Sequence, residues 1–183
     1  MRPHLSISRR TSRTPFSSRV EAAGATGYTV YNHTLLATSF RGIEVDYWHL
    51  CENVQVWDVS CEKQVTLMGP GANQLAQYMT PRDLSNAQVG RCYYLPMCDE
   101  NGSMISDGVG IKINDRHWRL SVADSDVLLW AKGLAVGFGL DVEVREPEIF
   151  PLAVQGPKAE ALMCRVFGDA IKELGFFAIA PFV

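Results

Sequence analysis

The 183-residue chain has no apolar run close to the eighteen or so residues that a membrane-spanning helix needs, which excludes a helical span. Its five cysteines, Cys51, Cys61, Cys92, Cys98 and Cys164, are an odd number without a C-x-x-C pair. Its four histidines, His4, His33, His49 and His117, are scattered without metal-ligand spacing. That argues against a disulfide framework or a metal site and reads most simply as a protein of the reducing cytoplasm. A net charge of −3 supplies no field for nucleic acid. No G-x-x-x-x-G-K-[ST] loop and no G-x-S-x-G elbow is present. Gly108-Val109-Gly110 lacks the third glycine and the helix of a dinucleotide fingerprint. Cys98 has no histidine placed nearby in the sequence to activate it and reads as a small core or rim thiol.

What remains is a globular composition, 47% hydrophobic and 20% charged, long enough to bury a core. The most informative stretch is Leu95 to Ile113, LPMCDENGSMISDGVGIKI. It reads as a β-hairpin reversing at Asp99-Glu100-Asn101-Gly102, where Asn and Gly tolerate positive φ. Ser106-Asp107-Gly108 interrupts its second strand. A strand interior disfavours Asp, and glycine there marks a bulge or a close backbone approach. A carboxylate beside glycines in an apolar strand makes Asp107 the leading candidate for chemistry, against the plain reading of a bulge or turn residue.

Around the hairpin the chain reads as short strands and helices. Tyr28–Tyr31 resembles a strand, and Arg41–Leu50 a short helix. Val54–Val59 alternates like a half-buried strand. Gln64–Pro70 leads into a helix over Ala72–Met79, with Leu75 and Met79 on one face and Thr80-Pro81 as its stop. Trp118–Val122 alternates, and Ser125 is placed to cap a helix through Val127, Trp130, Ala131 and Leu134 that ends at Gly137 and Gly139. Leu140–Arg145 alternates between an apolar and a charged face. Leu152–Ala159 opens a second helix, with Pro157 at its first position, Gly168 at its end, and Leu162, Met163, Val166 and Phe167 on one face. The words G-P-x-A-x-x-L begin at Gly69 and again at Gly156, 87 positions apart. Two related β-turn-α units and a chance match both explain this. Glu62 reads as a solvated carboxylate near a strand turn. Asp124 and Asp126 flank a helix start, where capping is their default role. Trp48, Trp57, Trp118 and Trp130 read as core or interface anchors.

The expected fold class is α+β, mostly antiparallel, with helices on one side of the sheet. Three segments are expected: 1–50 as an arm and first strands, 51–139 as a central subdomain with the Asp107 hairpin, and 140–183 as the start of a second β-Gly-Pro-α unit. The first nineteen residues carry five arginines and no acid. They look like a transit peptide or like an arm that belongs to the fold, and the arm is preferred. The apolar ending Phe176–Val183 reads as a strand with no partner following, from which we expect the N-terminal part of a longer protein.

Taken together, the sequence resembles the tetrahydrofolate-dependent aminomethyltransferase family, whose namesake is the glycine-cleavage T-protein. VQVWDVSCEKQVTLMGPGANQLAQYM is similar to the family's F-D-V-S-H-M … G-x-D-A stretch, and CDENGSMISDGVGIKI to its N-E-x-G-G-I-x-D-D-L hairpin. VEAAGATGYTVYNHTLLATSF, TPRDLSNAQVG, ADSDVLLWAKGLA and FPLAVQGPKAEALM are closer to the dimethylsulfoniopropionate demethylase branch. The resemblance implies a three-domain ring with tetrahydrofolate in its central channel, of which this chain covers about the first half. It implies that Asp107 is the folate-contacting acid and that Leu95 and Pro96 border the folate pocket. It also implies that Asp124 lies near a further polar contact. Glu62 stands where the family has the Met of S-H-M, a departure that argues against ordinary aminomethyl transfer. The implied activity is methyl transfer from dimethylsulfoniopropionate, giving 5-methyltetrahydrofolate. Aminomethyl transfer, a non-catalytic folate-binding relative and an inactive fragment are the alternatives. The implied partners are a small-molecule donor and a second copy as a homodimer, with no nucleic acid and no membrane.

Overall fold

The computed structural model describes residues 8–182; the start of the basic arm, His4 and Val183 lie outside the described residues. Its contacts group the chain into two units, the first made of residues up to Cys61 together with Phe150–Leu162, the second of Glu62–Ile149 with Met163 onward. Among the described residues no helix is long and apolar enough to cross a membrane.

In the first unit the arm is built in. Ser12 lies beside Thr34, its amide donating to the His33 carbonyl (2.6 Å), and Arg13 pairs with Glu21 (2.5 Å). A short helix α1 (Ser17–Ala22) is followed by an antiparallel hairpin, β1 (Gly27–Tyr31) and β2 (Thr34–Ser39). Its two-residue turn holds Asn32 and His33 at φ 47° and 56°, the left-handed pair that such hairpins require. Helix α2 (Ile43–Glu52) follows, with the Asp46 carboxylate accepting the amides of Phe40 and Arg41 ahead of it. That hydrogen bonding, from Phe40 first, holds the Asp46 carboxyl below its ordinary range. Strand β3 (Gln55–Asp58) pairs antiparallel with β9 (Leu152–Gln155), which returns from far along the sequence.

The second unit holds the core. One antiparallel sheet is ordered β5-β6-β7-β4-β8, from β4 (Gln64–Met68), β5 (Arg91–Cys98), β6 (Met104–Asn114), β7 (His117–Val122) and β8 (Glu143–Arg145). Helices α3 (Ala72–Met79) and α4 (Val127–Gly137) cover one face. Val65, Leu67, Leu95, Met97, Trp118, Leu120, Val122 and Val144 point toward them and meet Leu75, Met79, Val127 and Ala131, all buried. Each such side chain contributes about 1.5–3 kcal/mol on leaving water, so this cluster dominates stability. The expected class, α+β with helices on one side of an antiparallel sheet, is the class observed.

Several local expectations change. The hairpin strand is not interrupted at Ser106–Gly108: pairing runs on through these residues, and the extra residue is Ile105, between the pairs Met97–Ser106 and Cys98–Met104. Strand β8 covers only Glu143–Arg145, because Gly69 and Gly71 take up the backbone of Asp141 beside it. Asp126 stands before α4 without a side-chain cap bond, and the Ser125 hydroxyl turns back to the Ala123 carbonyl instead. Helix α5 (Ala159–Phe167) starts two residues after Pro157 and buries none of its side chains, Val166 and Phe167 included. Trp118 is a core anchor, but Trp48 is exposed.

The two G-P words are alike in structure as well. Gly69 and Gly156 take φ of 133° and 116°, and in each a Cβ would strike a backbone carbonyl, that of Asp141 or of Asn53. One word lies in each unit.

Candidate functional site

Period-two alternation gives the five-stranded sheet a second face, opposite the helices. Tyr94 and Pro96 of β5, Asp107, Val109 and Ile111 of β6, Arg119 and Ser121 of β7, and Thr66 of β4 share it, as the register Pro96–Asp107, Ile111–Arg119 and Thr66–Arg119 requires. Asp107 is half-buried, and its Oδ2 accepts a hydrogen bond from the Tyr94 hydroxyl at 3.0 Å. Bonding to that carboxylate, reinforced by burial, raises the Tyr94 phenol above its ordinary range, so the tyrosine stays a donor. Among the described residues Oδ1 of Asp107 carries no hydrogen bond, and it remains an acceptor for an N–H donor.

Glycine makes this placement feasible. A Cβ on Gly108 would sit 2.5 Å from the Ser121 carbonyl oxygen, so β7 approaches β6 at the residue after Asp107 more closely than a side chain permits. A Cβ on Gly110 would run into Leu95, which lies over that glycine in the core.

The candidate residues separate accordingly. Pro96 is the direct cross-strand partner of Asp107. Leu95 is 1% exposed, with its side chain on the helix-covered face, behind the site. Asp124 is exposed and follows Ala123, whose amide donates to the Asp107 carbonyl at 3.3 Å. Glu62 precedes Lys63, whose carbonyl accepts the Val122 amide, and Val122 pairs with Gly108. The topology therefore brings Glu62, Asp124 and Asp107 to one end of one sheet. Glu62 is exposed as a residue, yet desolvation by its neighbours raises its carboxyl above the ordinary range. Tyr94 was missed in the sequence. Its signal was available: with Pro96 opposite Asp107, Tyr94 is the diagonal cross-strand neighbour, within an aromatic side chain's reach.

The same face carries basic side chains farther from Asp107. Among the described residues His117 Nε2 and Arg119 Nε are buried without a hydrogen-bond partner, and Arg145 pairs with Glu143 at 3.4 Å. Burial first, then Arg119 and Arg145, lowers the His117 pKa, which keeps the ring neutral. No cluster of three or more metal-ligating side chains occurs among the described residues.

Comparison with known proteins gives the chain a family. The chain is 51% identical over 170 residues to a dimethylsulfoniopropionate demethylase of Ruegeria pomeroyi, covering 93% of this chain and 47% of that protein. It is 33% identical to an aminomethyltransferase of Alcanivorax borkumensis, over 76% of this chain and 40% of that one. The glycine cleavage system aminomethyltransferase T of Bartonella henselae superposes with a TM-score of 0.82 at 21% identity, covering 92% of this chain and 46% of that chain, a likeness of fold. The chain thus spans less than half the length of these relatives. The GCVT N-terminal domain family matches residues 16–182, and the chain belongs to that family of enzymes.

Proposed function

We propose that the chain supplies the folate-contacting sheet of a one-carbon transferase that demethylates dimethylsulfoniopropionate and forms 5-methyltetrahydrofolate. The observation that carries this reading is the 51% identity to a demethylase of that name over 93% of the chain, against 33% to an aminomethyltransferase. The site's acceptor fits the N–H groups of a reduced pterin: a half-buried carboxylate with one oxygen held by Tyr94 and the other open, flanked by the apolar surfaces of Pro96 and Val109.

When bound, tetrahydrofolate supplies the nitrogen that accepts the one-carbon unit. Asp107 would hold it by accepting a hydrogen bond at Oδ1, and its negative charge would offset positive charge developing on the cofactor. Tyr94 fixes the carboxylate from the other oxygen. Pro96 and Val109 keep water from the reacting end, Leu95 supports the strand from the core, and Asp124 and Glu62 add polar contacts at the same end of the sheet. A sulfonium carries a good leaving group, the neutral thioether released when its S–CH3 bond breaks, so alignment and water exclusion would carry most of the catalysis. Localisation in the cytoplasm and a small-molecule donor belong to the same proposal.

The test is methyl transfer from dimethylsulfoniopropionate to tetrahydrofolate, measured with this chain co-expressed with the remainder of the Ruegeria relative. Formation of 5-methyltetrahydrofolate, lost in Asp107→Ala, supports the proposal. A preparation that transfers aminomethyl groups but no methyl group, or an Asp107→Ala protein of full activity, overturns it.

A further inference from the structure

The second face of the five-stranded sheet carries more than the surroundings of Asp107. Its register lines up Cys92, Ile111, Arg119, Thr66 and Arg145 as one row across β5, β6, β7, β4 and β8. The next row, farther from Asp107, is His117, Met68 and Glu143. Thr66 therefore separates two arginines by two strand spacings, about 9–10 Å between backbones, a gap that two such long side chains can span. Arg145 leans over Met68, its Nη2 3.9 Å from the sulfur and its Nη1 3.4 Å from Glu143. Arg119 is half-buried, enters no ion pair among the described residues, and keeps a buried Nε–H without an acceptor. His117 lies close enough for both arginines to depress its pKa, and its Nε2 is buried without a partner as well.

A buried donor without a partner costs about 1–3 kcal/mol, and like charges gathered around one imidazole repel. One kind of group offsets both costs: an oxyanion, which accepts N–H bonds and carries the opposite charge. The acids of this unit nearest in sequence to the two rows are already engaged, Glu143 by Arg145, Asp115 by Lys112 (3.2 Å) and Glu146 by Lys63 (3.2 Å). Room for a ligand lies beside Arg119, in a cavity of about 510 Å³ lined also by Gly90, Ile111, Ile179, Ala180 and Pro181. We propose that Arg119, Arg145 and His117 form a second binding site, for a carboxylate or phosphate group, separate from the site at Asp107. Arg119 presents a fork of donors, Arg145 adds a second guanidinium from across Thr66, and His117 with its proton on Nε2 adds a neutral donor. Four residues of β6 separate Asp107 from the Arg119 row, about 13 Å along the strand, so occupation of one site leaves the other open. The proposal rests on the register and the unpartnered donors, not on the activity proposed above.

The test is titration of the 183-residue chain with inorganic phosphate and, separately, with glutarate, in chloride buffer of constant ionic strength. The buried Nε–H of Arg119 gives its own nitrogen–proton NMR signal, and a bound oxyanion shifts it. A saturable shift with a dissociation constant of about 1 mM or tighter is expected, and the probe that binds more tightly identifies the group as phosphate or carboxylate. Because Arg145 is exposed, Arg145→Gln leaves the chain folded and weakens binding by about tenfold or more. Arg119→Lys keeps the charge but loses the fork, and weakens binding by less than Arg119→Gln does. Asp107→Asn leaves it unchanged. Absence of a saturable shift with either probe at about 50 mM overturns the proposal, as does binding indifferent to Arg145→Gln. Displacement of the probe by tetrahydrofolate would make the anion the cofactor's own and overturns a separate site. None of these readouts requires catalysis, so failure of the demethylation assay leaves them intact.

Discussion

Gly108 stands where the backbone of β7 leaves no room for a Cβ, and the atom a Cβ would meet is a main-chain oxygen, which cannot swing aside. At Gly110 the obstacle is the end of the Leu95 side chain, which can change rotamer. Gly108→Ala should therefore lower stability by about 2–3 kcal/mol and Gly110→Ala by less, as overpacked cores do; urea midpoints measure the difference. His117 gives a second prediction at this scale. Its folded pKa lies below the ordinary 6.5, through burial first and then the nearby Arg119 and Arg145. Glu143, which shares Met68 as a strand partner with His117, is engaged by Arg145. A ring kept neutral in the fold but protonated when unfolded means the unfolded chain binds more protons below 6.5. The stability present above 6.5 is lost as pH falls toward the lowered value. Urea midpoints should decline over that window, and His117→Gln should flatten the decline; an unchanged slope would show that other groups set it.

Strand β5 is one edge of the five-stranded sheet, and edges that expose unpaired amides invite pairing between molecules. The tail, read from sequence as a strand without a partner, covers part of this edge. Cys92 donates its amide to the Phe177 carbonyl (2.8 Å), Ile179 donates to that of Gly90 (3.2 Å), and Arg91 bridges to Ala178. Phe176 nevertheless stays 84% exposed, stacked on Phe177 at 4.4 Å. Removing residues 176–183 should uncover the edge, and light scattering of the shortened chain should show faster concentration-dependent association. Equal association rates for the two chains would mean that the tail does not protect β5.

Across the molecule, protection from hydrogen exchange should be uneven. Amides of β4, β6 and β7 sit over the buried cluster and open only with global unfolding, whereas those of β1, β2, β3 and β9 have no comparable core behind them. Exchange followed by mass spectrometry should find the second group faster by about two orders of magnitude or more, a gap of roughly 3 kcal/mol. Uniform protection would show that the first unit is held together by more than its few buried apolar side chains.

Much of the second unit could be read from the sequence because its determinants are local. Alternation in Trp118–Val122, the four-residue spacing of Leu75 and Met79, and the Asn101-Gly102 reversal each settle an element within a few residues. Asp107 stood out for the same reason, as an acid inside an apolar strand. The sequence by itself determined these elements, the antiparallel class and the leading acid. Only the tertiary structure decided what joins distant residues. Tyr94 meets Asp107 because the register of β5 against β6 puts them diagonally across the hairpin, and Ile105, not Ser106–Gly108, absorbs the extra residue. Glu62 and Asp124 reach the end of the sheet that holds Asp107 through β4 and β7, and β9 returns to β3 from almost a hundred residues away. Pairing at that range depends on which backbone edges are free, a property of the folded sheet that no window of the sequence contains.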